Sequence, residues 1–351
     1  MKRNGYIDVI KFIFAIIIAE FHFGSGIFLG GRMAVEGFFI ITGYLMMKTI
    51  EKSPVVEKGI GISSVEFIFK KYKSLFYYLL PSVILSFIVI AIYREYTLIQ
   101  ALKKIPLLLF EIIPLNSTGL KGEYVIGISW YLSSMFIALA ILYPLCRRLG
   151  KGFTLIGCPL IVVFGYGTLS HYFGHLAVNY QYIENTIINT GIIRGFAGCA
   201  LGCLMYEASV LVAKKPPKAV VRVILTIVEI LAFAYFVYCM HYYPKTVYDY
   251  ASIFAIFTFL FIGINGLSYT SYLWNPKWTR PLGTASTLIV LSHYCWVIYL
   301  KKVLPAGYQR TPQALWFVLA VIVSCIVVYL CARLLKLALS KLGKPTTPKI
   351  N

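Results

Sequence analysis

The chain has 351 residues, of which 59% are hydrophobic and only 13% are charged, and its mean hydropathy is +0.78. A soluble domain carries roughly 25% charged residues, so this composition excludes an ordinary soluble fold and favours an integral membrane protein. The formal net charge of +20 would suit a nucleic-acid-binding protein, but no nucleic-acid-binding motif accompanies it, and no such partner is expected.

Apolar runs long enough to cross a bilayer recur along the whole chain. A crossing helix needs ~20 apolar residues, and the runs predict an all-α polytopic membrane protein with about ten transmembrane helices, forming a single domain over 1–351. The predicted spans lie near residues 7–27, 33–50, 74–93, 126–146, 152–169, 190–212, 222–243, 250–268, 282–304 and 314–337. The connection 94–125 contains a shorter apolar run, which we expect at the membrane interface or in a re-entrant segment.

The distribution of Lys and Arg predicts the orientation of these spans. If the N-terminus is cytoplasmic, the connections on the cytoplasmic side hold 22 of the 33 Lys and Arg residues, and the outer connections hold 9. Cytoplasmic loops of membrane proteins are enriched in these residues. Both termini are therefore expected in the cytoplasm. The first run has no cleavage site after it and is predicted to be a helix of the mature protein rather than a signal peptide.

One face of the first span carries polar side chains at both ends. Asp8, Lys11 and His22 share this face, and the eleven residues from Lys11 to His22 correspond to ~16 Å along a helix. An ionisable residue inside a membrane span indicates a functional site. The alternative is that Lys11 and His22 extend to the two membrane surfaces, and periodicity alone supports both interpretations equally.

His22 is the predicted general base, because the ordinary imidazole pKa of ~6.5 lies near working pH. Glu20 lies ~200° around the helix from His22 and is a poor partner for it. Glu36, at the outer start of the second span, is the better candidate to orient the imidazole. A second intramembrane histidine, His293 in the ninth span, strengthens the prediction of a site.

Three further spans carry candidate residues. Thr42 can hydrogen-bond across a helix interface, although the small residues around it favour helix packing over direct chemistry. Trp130 and Tyr131 open the fourth span, where aromatic residues more often anchor a helix at the membrane surface. Arg194, at the outer start of the sixth span, needs a partner such as Glu36, Glu184 or a bound anion.

Metal binding is not predicted. The eight cysteines include no Cys-x-x-Cys pair, so we interpret them as small side chains that pack in the membrane core. His171 and His175 have a spacing that suits a metal, but no third ligand is evident.

Together these motifs resemble the acyltransferase-3 family of bacterial integral membrane O-acyltransferases over essentially the whole length of the chain. The first-span pattern of the family corresponds to Arg3, Asp8, Lys11 and His22. Later patterns correspond to Glu36, Phe38, Phe39, Thr42 and Gly43, to Trp130, Tyr131 and Leu132, to Arg194, Gly198 and Gly202, and to Ser286, Leu291 and His293.

The chain departs from the family pattern at five of these positions. Lys11, Glu36 and Thr42 stand where the family has Arg, Asp and Ser, and Thr287 and Val290 stand where it has tyrosines. The first three changes keep the charge or the hydrogen-bonding group. A lysine, however, cannot hold a phosphate through two parallel hydrogen bonds as an arginine can.

The resemblance implies transfer of an acyl group, most often acetyl, from cytoplasmic acyl-CoA to a glycan hydroxyl outside the bacterial cytoplasmic (inner) membrane. It implies His22 as catalytic base with Glu36, and Lys11 and Arg194 as donor-binding residues. The supporting residues would be Asp8, Thr42, Trp130, Tyr131 and His293. Acetyl-CoA or another acyl-CoA would be a donor substrate, with no permanently bound cofactor. The alternatives are a multi-pass transporter, which the lack of a repeat disfavours, and a non-catalytic subunit of a glycan-export complex.

Overall fold

A computed structural model describes residues 3–53, 59–120, 124–212, 217–243, 245–274, 276–303 and 310–342. Within these ranges the regular structure is helical, apart from one isolated bridge between Tyr182 and Asn189. The predicted all-α class is therefore confirmed for the described part of the chain.

The α-helices follow one another with short 3₁₀ turns in some of the connections. In chain order they are α1 (Gly5–Phe23), α2 (Ala34–Lys52), α3 (Ile60–Tyr93), α4 (Leu98–Lys104), α5 (Leu109–Ile112), α6 (Ser129–Gly152), α7 (Cys158–Phe173), α8 (Thr190–Val212), α9 (Ala219–Tyr242), α10 (Tyr248–Ile264), α11 (Pro276–Ser292), α12 (Tyr294–Val303) and α13 (Arg310–Leu342).

Six helical segments of the described residues are long and apolar enough to cross a membrane, or seven if the bent pair α11 and α12 counts as one span. Each of the ten predicted spans falls on a helix, but the number of crossings is not confirmed. Helix α1 is not among these segments, because it contains three charged residues within its 19 residues. Helix α10 has only 17 residues.

Helix α3 begins at Ile60, well before the predicted span 74–93. No Gly or Pro interrupts residues 62–80, so the helix continues through a polar stretch that hydropathy assigned to a loop. The consequence is that Lys70, Lys71 and Lys73 lie on a helix rather than in a flexible connection.

Residues 129–173 form helical structure that continues through two predicted spans, with one break at Gly150. Its 45 residues would be ~68 Å long as one straight helix, more than twice the ~30 Å hydrocarbon core. Gly150 breaks the helix with φ 58° and ψ −140°, a left-handed backbone conformation that glycine adopts without steric cost. A π-helical turn, Phe153–Gly157, then leads into α7.

Glycines bring α2 and α8 into close contact. A Cβ atom on Gly43 would lie 1.9 Å from the Cys199 carbonyl oxygen, and one on Gly202 would lie 2.1 Å from the Ile40 carbonyl oxygen. The helices therefore pack backbone to backbone, as the small residues of these spans predicted. This close crossing brings two buried charged residues, Glu36 of α2 and Arg194 of α8, together.

The connection 94–125 folds back against the bundle through α4 and α5. The buried Glu111 carboxylate accepts hydrogen bonds from the backbone N–H groups of Val125 and Ile126 at 2.7 and 2.9 Å. The Tyr72 hydroxyl of α3 donates to the Ile112 carbonyl at 3.0 Å, and Ser117 donates to the Trp130 carbonyl at 2.9 Å. This segment thus positions the start of α6.

The exterior of the bundle is apolar. Helices α9 and α13 expose many large aliphatic side chains, among them Ile227, Leu231, Ile322 and Leu330, each more than 40% exposed. A soluble protein rarely exposes so large an apolar surface. Lipid is the solvent that suits this surface, and the chain is a multi-pass membrane protein.

Candidate functional site

A cavity of about 270 Å³ lies inside the bundle between α1, α2, α3, α6 and α11. Five of the predicted site residues line it, namely Lys11, His22, Thr42, Trp130 and Tyr131. Of the other four predicted residues, His293 and Arg194 contact residues of the lining, Glu36 binds Arg194, and Asp8 pairs with Arg3 at the start of α1. Sequence reasoning therefore brought together residues that share one chamber or directly support it.

His22 and His293 form a hydrogen-bonded pair at this cavity. His22 Nδ1 lies 2.8 Å from His293 Nε2, and the two rings are nearly parallel with centroids 5.1 Å apart. His22 lies in the last turn of α1, which ends at Phe23 and is followed by Gly24 in a left-handed conformation. His293 is fully buried and occupies the break between α11 and α12, where the chain bends by 45°.

The surroundings of His293 determine which nitrogen of each ring carries hydrogen. His293 Nδ1 lies 2.9 and 3.1 Å from the carbonyl oxygens of Ile289 and Val290. A carbonyl oxygen only accepts hydrogen bonds, so His293 Nδ1 must carry the hydrogen. In the uncharged form that full burial favours, His293 Nε2 is then an acceptor, and His22 Nδ1 is the donor. The lone pair of a neutral His22 consequently resides on Nε2, the basic nitrogen.

Tyr294 holds the His22 ring from a second direction. The two rings meet edge to face, with centroids 5.3 Å apart. Behind Tyr294 lies Gly127, whose φ is +72° and where a Cβ would lie only 2.2 Å from the tyrosine ring. The Tyr180 hydroxyl donates to the Gly127 carbonyl at 3.0 Å. The loop before α6 thus packs against the aromatic ring that contacts the predicted base, a contact that sequence reasoning did not find.

Glu36 and Arg194 form a fully buried ion pair. Arg194 Nε donates to Glu36 Oε1 at 2.7 Å, and the Tyr166 hydroxyl donates to Glu36 Oε2 at 2.7 Å. Both charged side chains have no exposed surface. Of the three partners considered for Arg194, the structure selects Glu36. Arg194 and Tyr166 thus engage both carboxylate oxygens of Glu36. The predicted role of Glu36 in orienting His22 stays a prediction.

Arg194 reaches the cavity wall through two of the residues that line it. Its Nη1 donates to Asn179 Oδ1, and its guanidinium lies over the Trp130 ring at 5.0 Å from the centroid. Its Nη2 is buried without a hydrogen-bond partner among the described residues. The predicted contact between Arg194 and the acyl donor stays a prediction, and the geometry gives Arg194 a supporting position behind Trp130 and Asn179.

Arg32 is a buried cation of the site that sequence reasoning counted only as a loop charge. It lines the cavity and donates from Nη2 to both Asp249 oxygens, at 3.1 and 2.9 Å. Its buried Nε has no partner in the part of the chain that the structure describes. Asp249 also accepts from the Leu176 N–H at 2.9 Å. Burial, and next the Arg32 charge, lowers the pKa of His175 in this adjoining loop.

Lys11 lines the cavity one helical turn after Asp8. The Asp8 carboxylate accepts two hydrogen bonds from Arg3, at 2.5 and 2.9 Å, and does not line the chamber. The Ser286 hydroxyl of α11 donates to the Lys11 carbonyl at 2.8 Å. Asp8 therefore stabilises the start of α1, and Ser286 fixes α1 against α11 at the level of Lys11.

A second lysine, Lys71 of α3, also lines the chamber. Sequence reasoning missed it because hydropathy placed residues 51–73 in a loop. The uninterrupted run of helix-compatible residues up to Pro81 is the pattern that could have revealed it. Two lysines therefore line the chamber, and one of them, Lys11, stands where the family pattern has an arginine.

A larger cavity of about 950 Å³ shares Ser74 and Tyr78 with the chamber. Its lining is strongly basic and comes from three separate segments of the chain. The cations are Lys70 and Lys73 of α3, Arg280 of α11, and Arg333 and Lys336 of α13. We call this the basic cavity. It adjoins the chamber at Ser74, which is one helical turn from Lys71.

The helical fold, the apolar exterior and the internal chamber with ionisable residues in its lining define a multi-pass membrane protein with a candidate site inside its helix bundle. A family model described as an acyltransferase domain matches residues 4–333. The chain belongs to this acyltransferase-3 family and is a membrane acyltransferase, so the resemblance found in the sequence motifs is confirmed. No curated protein and no solved structure matches the chain.

Proposed function

We propose that this protein transfers an acyl group, acetyl in the first instance, from cytoplasmic acyl-CoA to a hydroxyl group of a cell-surface or exported polysaccharide. The family supplies the reaction class. The observation that carries the proposal is one chamber lined by three cations, Lys11, Lys71 and Arg32, and by His22, whose ring is hydrogen-bonded to His293. Acyl transfer across a membrane requires both features, because the donor is anionic and the acceptor hydroxyl must lose a proton.

The donor would bind at the basic cavity. Coenzyme A carries several phosphate charges, and the five Lys and Arg side chains of that cavity complement them. Lys11 and Lys71 stand between this cavity and His22. Two separate ammonium groups can replace part of the phosphate or carbonyl contact that a single arginine would make, because each lysine acts as a compact point charge.

His22 would act as general base through Nε2. The acceptor hydroxyl oxygen attacks the thioester carbonyl carbon while Nε2 takes the hydroxyl proton. The carbon–sulfur bond then breaks, and the thiolate of coenzyme A leaves with the proton that His22 has taken. His293 accepts the hydrogen bond from His22 Nδ1 throughout and keeps the reactive nitrogen defined. In the alternative route, His22 Nε2 first attacks the thioester carbon and the thiolate leaves, and the acceptor hydroxyl then attacks the acyl-histidine, breaking its carbon–nitrogen bond and passing its proton to the departing thiolate.

The negative charge that develops on the carbonyl oxygen needs a hydrogen-bond donor. Thr42 and Arg32 are donors in the chamber lining. Arg32 is held in place by Asp249, which limits the reorganisation that charge stabilisation would require. We assign Trp130 and Tyr131 to the chamber wall, and Glu36, Arg194 and Asp8 to its support.

We further propose ten crossings with both termini in the cytoplasm, in the cytoplasmic membrane of a bacterium. Three segments that the Lys and Arg distribution assigns to the cytoplasmic side meet at the basic cavity, through the residues that line it on α3, α11 and α13. The bend at His293 lets α11 and α12 count as one crossing, and the Gly150 break separates α6 from α7. Helices α1 and α10 would complete the set inside the bundle.

The test is acyl transfer in inverted membrane vesicles given acetyl-CoA labelled in its acetyl group. The wild-type protein is expected to place ester-linked label on glycan, and His22→Gln is expected to lose that activity. His171→Gln is the matched control, since His171 is exposed at the end of α7 and does not line the chamber. Undiminished transfer by a correctly inserted His22→Gln protein would refute the assignment of the base.

The same vesicles distinguish the other interpretations. A transporter would move an unlabelled solute and leave the glycan unlabelled, and a non-catalytic subunit would do neither. Label on the glycan that depends on this chain supports the proposal. Label that stays in acetyl-CoA, with glycan acceptor present, would overturn it.

A further inference from the structure

Three thiol groups from three different helices meet inside the bundle. The Sγ atoms of Cys146 in α6, Cys158 in α7 and Cys203 in α8 all lie within 4.8 Å of one another. The three residues are at most 2% exposed. They are 12 and 45 residues apart in sequence, which is not a spacing that predicts a metal site. From the sequence we therefore interpreted these cysteines as packing residues only.

The local structure explains why the thiols meet. Cys146 precedes the Gly150 break and Cys158 follows the π-helical turn, so the change of chain direction brings the two side chains to the same corner. Helix α8 packs against both α6 and α7 and contributes Cys203 to that corner. The cluster therefore lies where three helices are joined, and its geometry depends on all of them.

A carboxylate lies beside the thiols. Glu207 follows Cys203 by one helical turn in α8, and its Oε1 accepts a hydrogen bond from the Thr154 hydroxyl at 3.2 Å. Thr154 belongs to the π-helical turn that leads directly to Cys158. Glu207 is thus held near the three cysteines, but its oxygens lie outside the 4.8 Å group of the three sulfur atoms, so a side-chain rotation is needed to make it a fourth ligand.

We propose that Cys146, Cys158, Cys203 and Glu207 bind one Zn²⁺ ion that ties α6, α7 and α8 together. Thiolates are soft ligands that prefer zinc and copper(I). Tetrahedral zinc with Zn–S bonds of ~2.3 Å requires sulfur atoms about 3.8 Å apart, which the cluster reaches by side-chain adjustments of about 1 Å. Four protein ligands leave no open position, so this zinc has a structural role, separate from the acyl-transfer chamber.

Binding would release the thiol protons to solvent as the three cysteines become thiolates. The resulting negative charge is compensated in part by the zinc ion, and three basic residues, Arg147, Arg148 and Lys151, follow Cys146 within five positions of the chain. No electron transfer is involved. Binding therefore needs only the metal ion and a reducing environment that keeps the thiols unpaired, as on the cytoplasmic side of a membrane.

The test is metal analysis of full-length protein purified in detergent with reductant and without chelators. The wild-type chain is expected to contain about one zinc per chain. Cys158→Ser and Cys203→Ser are expected to lose it. Cys199→Ser is the matched control, because Cys199 is equally buried and one turn from Cys203 but outside the cluster. Wild-type protein without zinc, or equal loss in Cys199→Ser, would overturn the proposal.

A second measurement does not depend on the folding of the variants. Wild-type protein stripped with a chelator is titrated with Co²⁺, which reports thiolate ligands by an intense sulfur-to-metal absorption band. We expect this band to saturate at about one Co²⁺ per chain and to disappear on addition of Zn²⁺. Absence of the band in folded protein would contradict the site, and copper in place of zinc in the purified chain would overturn the choice of ion.

Discussion

The Glu36–Arg194 pair and the His22–His293 pair both lie inside the apolar bundle, and they are built differently. The Glu36–Arg194 pair joins α2 to α8, and its charges are satisfied by each other, by Tyr166 and by Asn179. The His22–His293 pair joins α1 to the bend after α11, and His22 lines the chamber. Both groups are costly to bury in a membrane protein.

Burial of a charged group therefore does not by itself identify a catalytic residue. Glu36 and Arg194 neutralise each other behind the cavity wall, which suits a structural cross-link. His22 has one nitrogen defined by His293 and lines a space that substrates can enter. Loss of the first group should therefore affect folding, and loss of the second should affect turnover.

The largest expected effect comes from breaking the buried ion pair. Glu36→Leu or Arg194→Leu leaves an uncompensated buried charge and should cost about 3–5 kcal/mol, enough to abolish most folded protein. The double variant should recover much of the loss, because neither charge remains. Fluorescence-detected size-exclusion chromatography after stepwise heating measures the amount of folded protein and its thermal stability in each variant. Single variants as heat-stable as the wild type would show that the pair does not stabilise the bundle.

The next effect separates positioning from folding at the histidine pair. His293→Leu removes the acceptor that defines the hydrogen position of His22, and kcat should fall by about 10²-fold, less than the ~10⁴-fold that a wrong tautomer costs in a serine-protease triad. KM for acyl-CoA should not change. His293→Gln, which can still accept a hydrogen bond, should recover part of the activity. Equal losses in both variants would argue for a purely structural His293.

Substitution of the basic cavity should change donor affinity rather than turnover. Arg333→Gln together with Lys336→Gln should raise KM for acyl-CoA by about tenfold, or ~1.4 kcal/mol, with kcat preserved. The wild-type KM should also rise with ionic strength, because exposed charges are screened by salt. Lys245→Gln, on the predicted outer side, is the control. An unchanged KM in the double variant would remove the basic cavity from the donor path.

The smallest effect is expected at the contact between α1 and α11. Ser286→Ala removes the hydrogen bond to the Lys11 carbonyl and should cost about 0.5–1.5 kcal/mol, seen as a Tm lower by a few degrees. The activity of the folded fraction should remain within a factor of two or three. A large loss of activity at unchanged Tm would instead make Ser286 part of the chemistry.

Hydropathy and charge were sufficient to predict helices over all ten apolar runs, because a helix that crosses lipid must satisfy its backbone internally and present apolar side chains. Helix ends were less predictable. The start of α3 at Ile60 lies in a polar stretch, where hydropathy carries no information about helicity. The sequence predicts only that the chain turns somewhere between the spans 126–146 and 152–169. The position of the break at Gly150 and its geometry depend on the packing of α6, α7 and α8.

The sequence by itself determined the class of the protein, the candidate residues along α1 and the family to which they belong. A side-chain period along one helix specifies which residues share a face, so Lys11 and His22 were predictable. Tertiary structure alone decided their partners. It placed His22 beside a residue 271 positions away and paired Glu36 with Arg194. It also brought Lys71 and Arg32 into the chamber lining and placed three cysteine thiols in contact range of one another. Contacts between distant helices depend on how the whole bundle packs, and no local pattern encodes that packing.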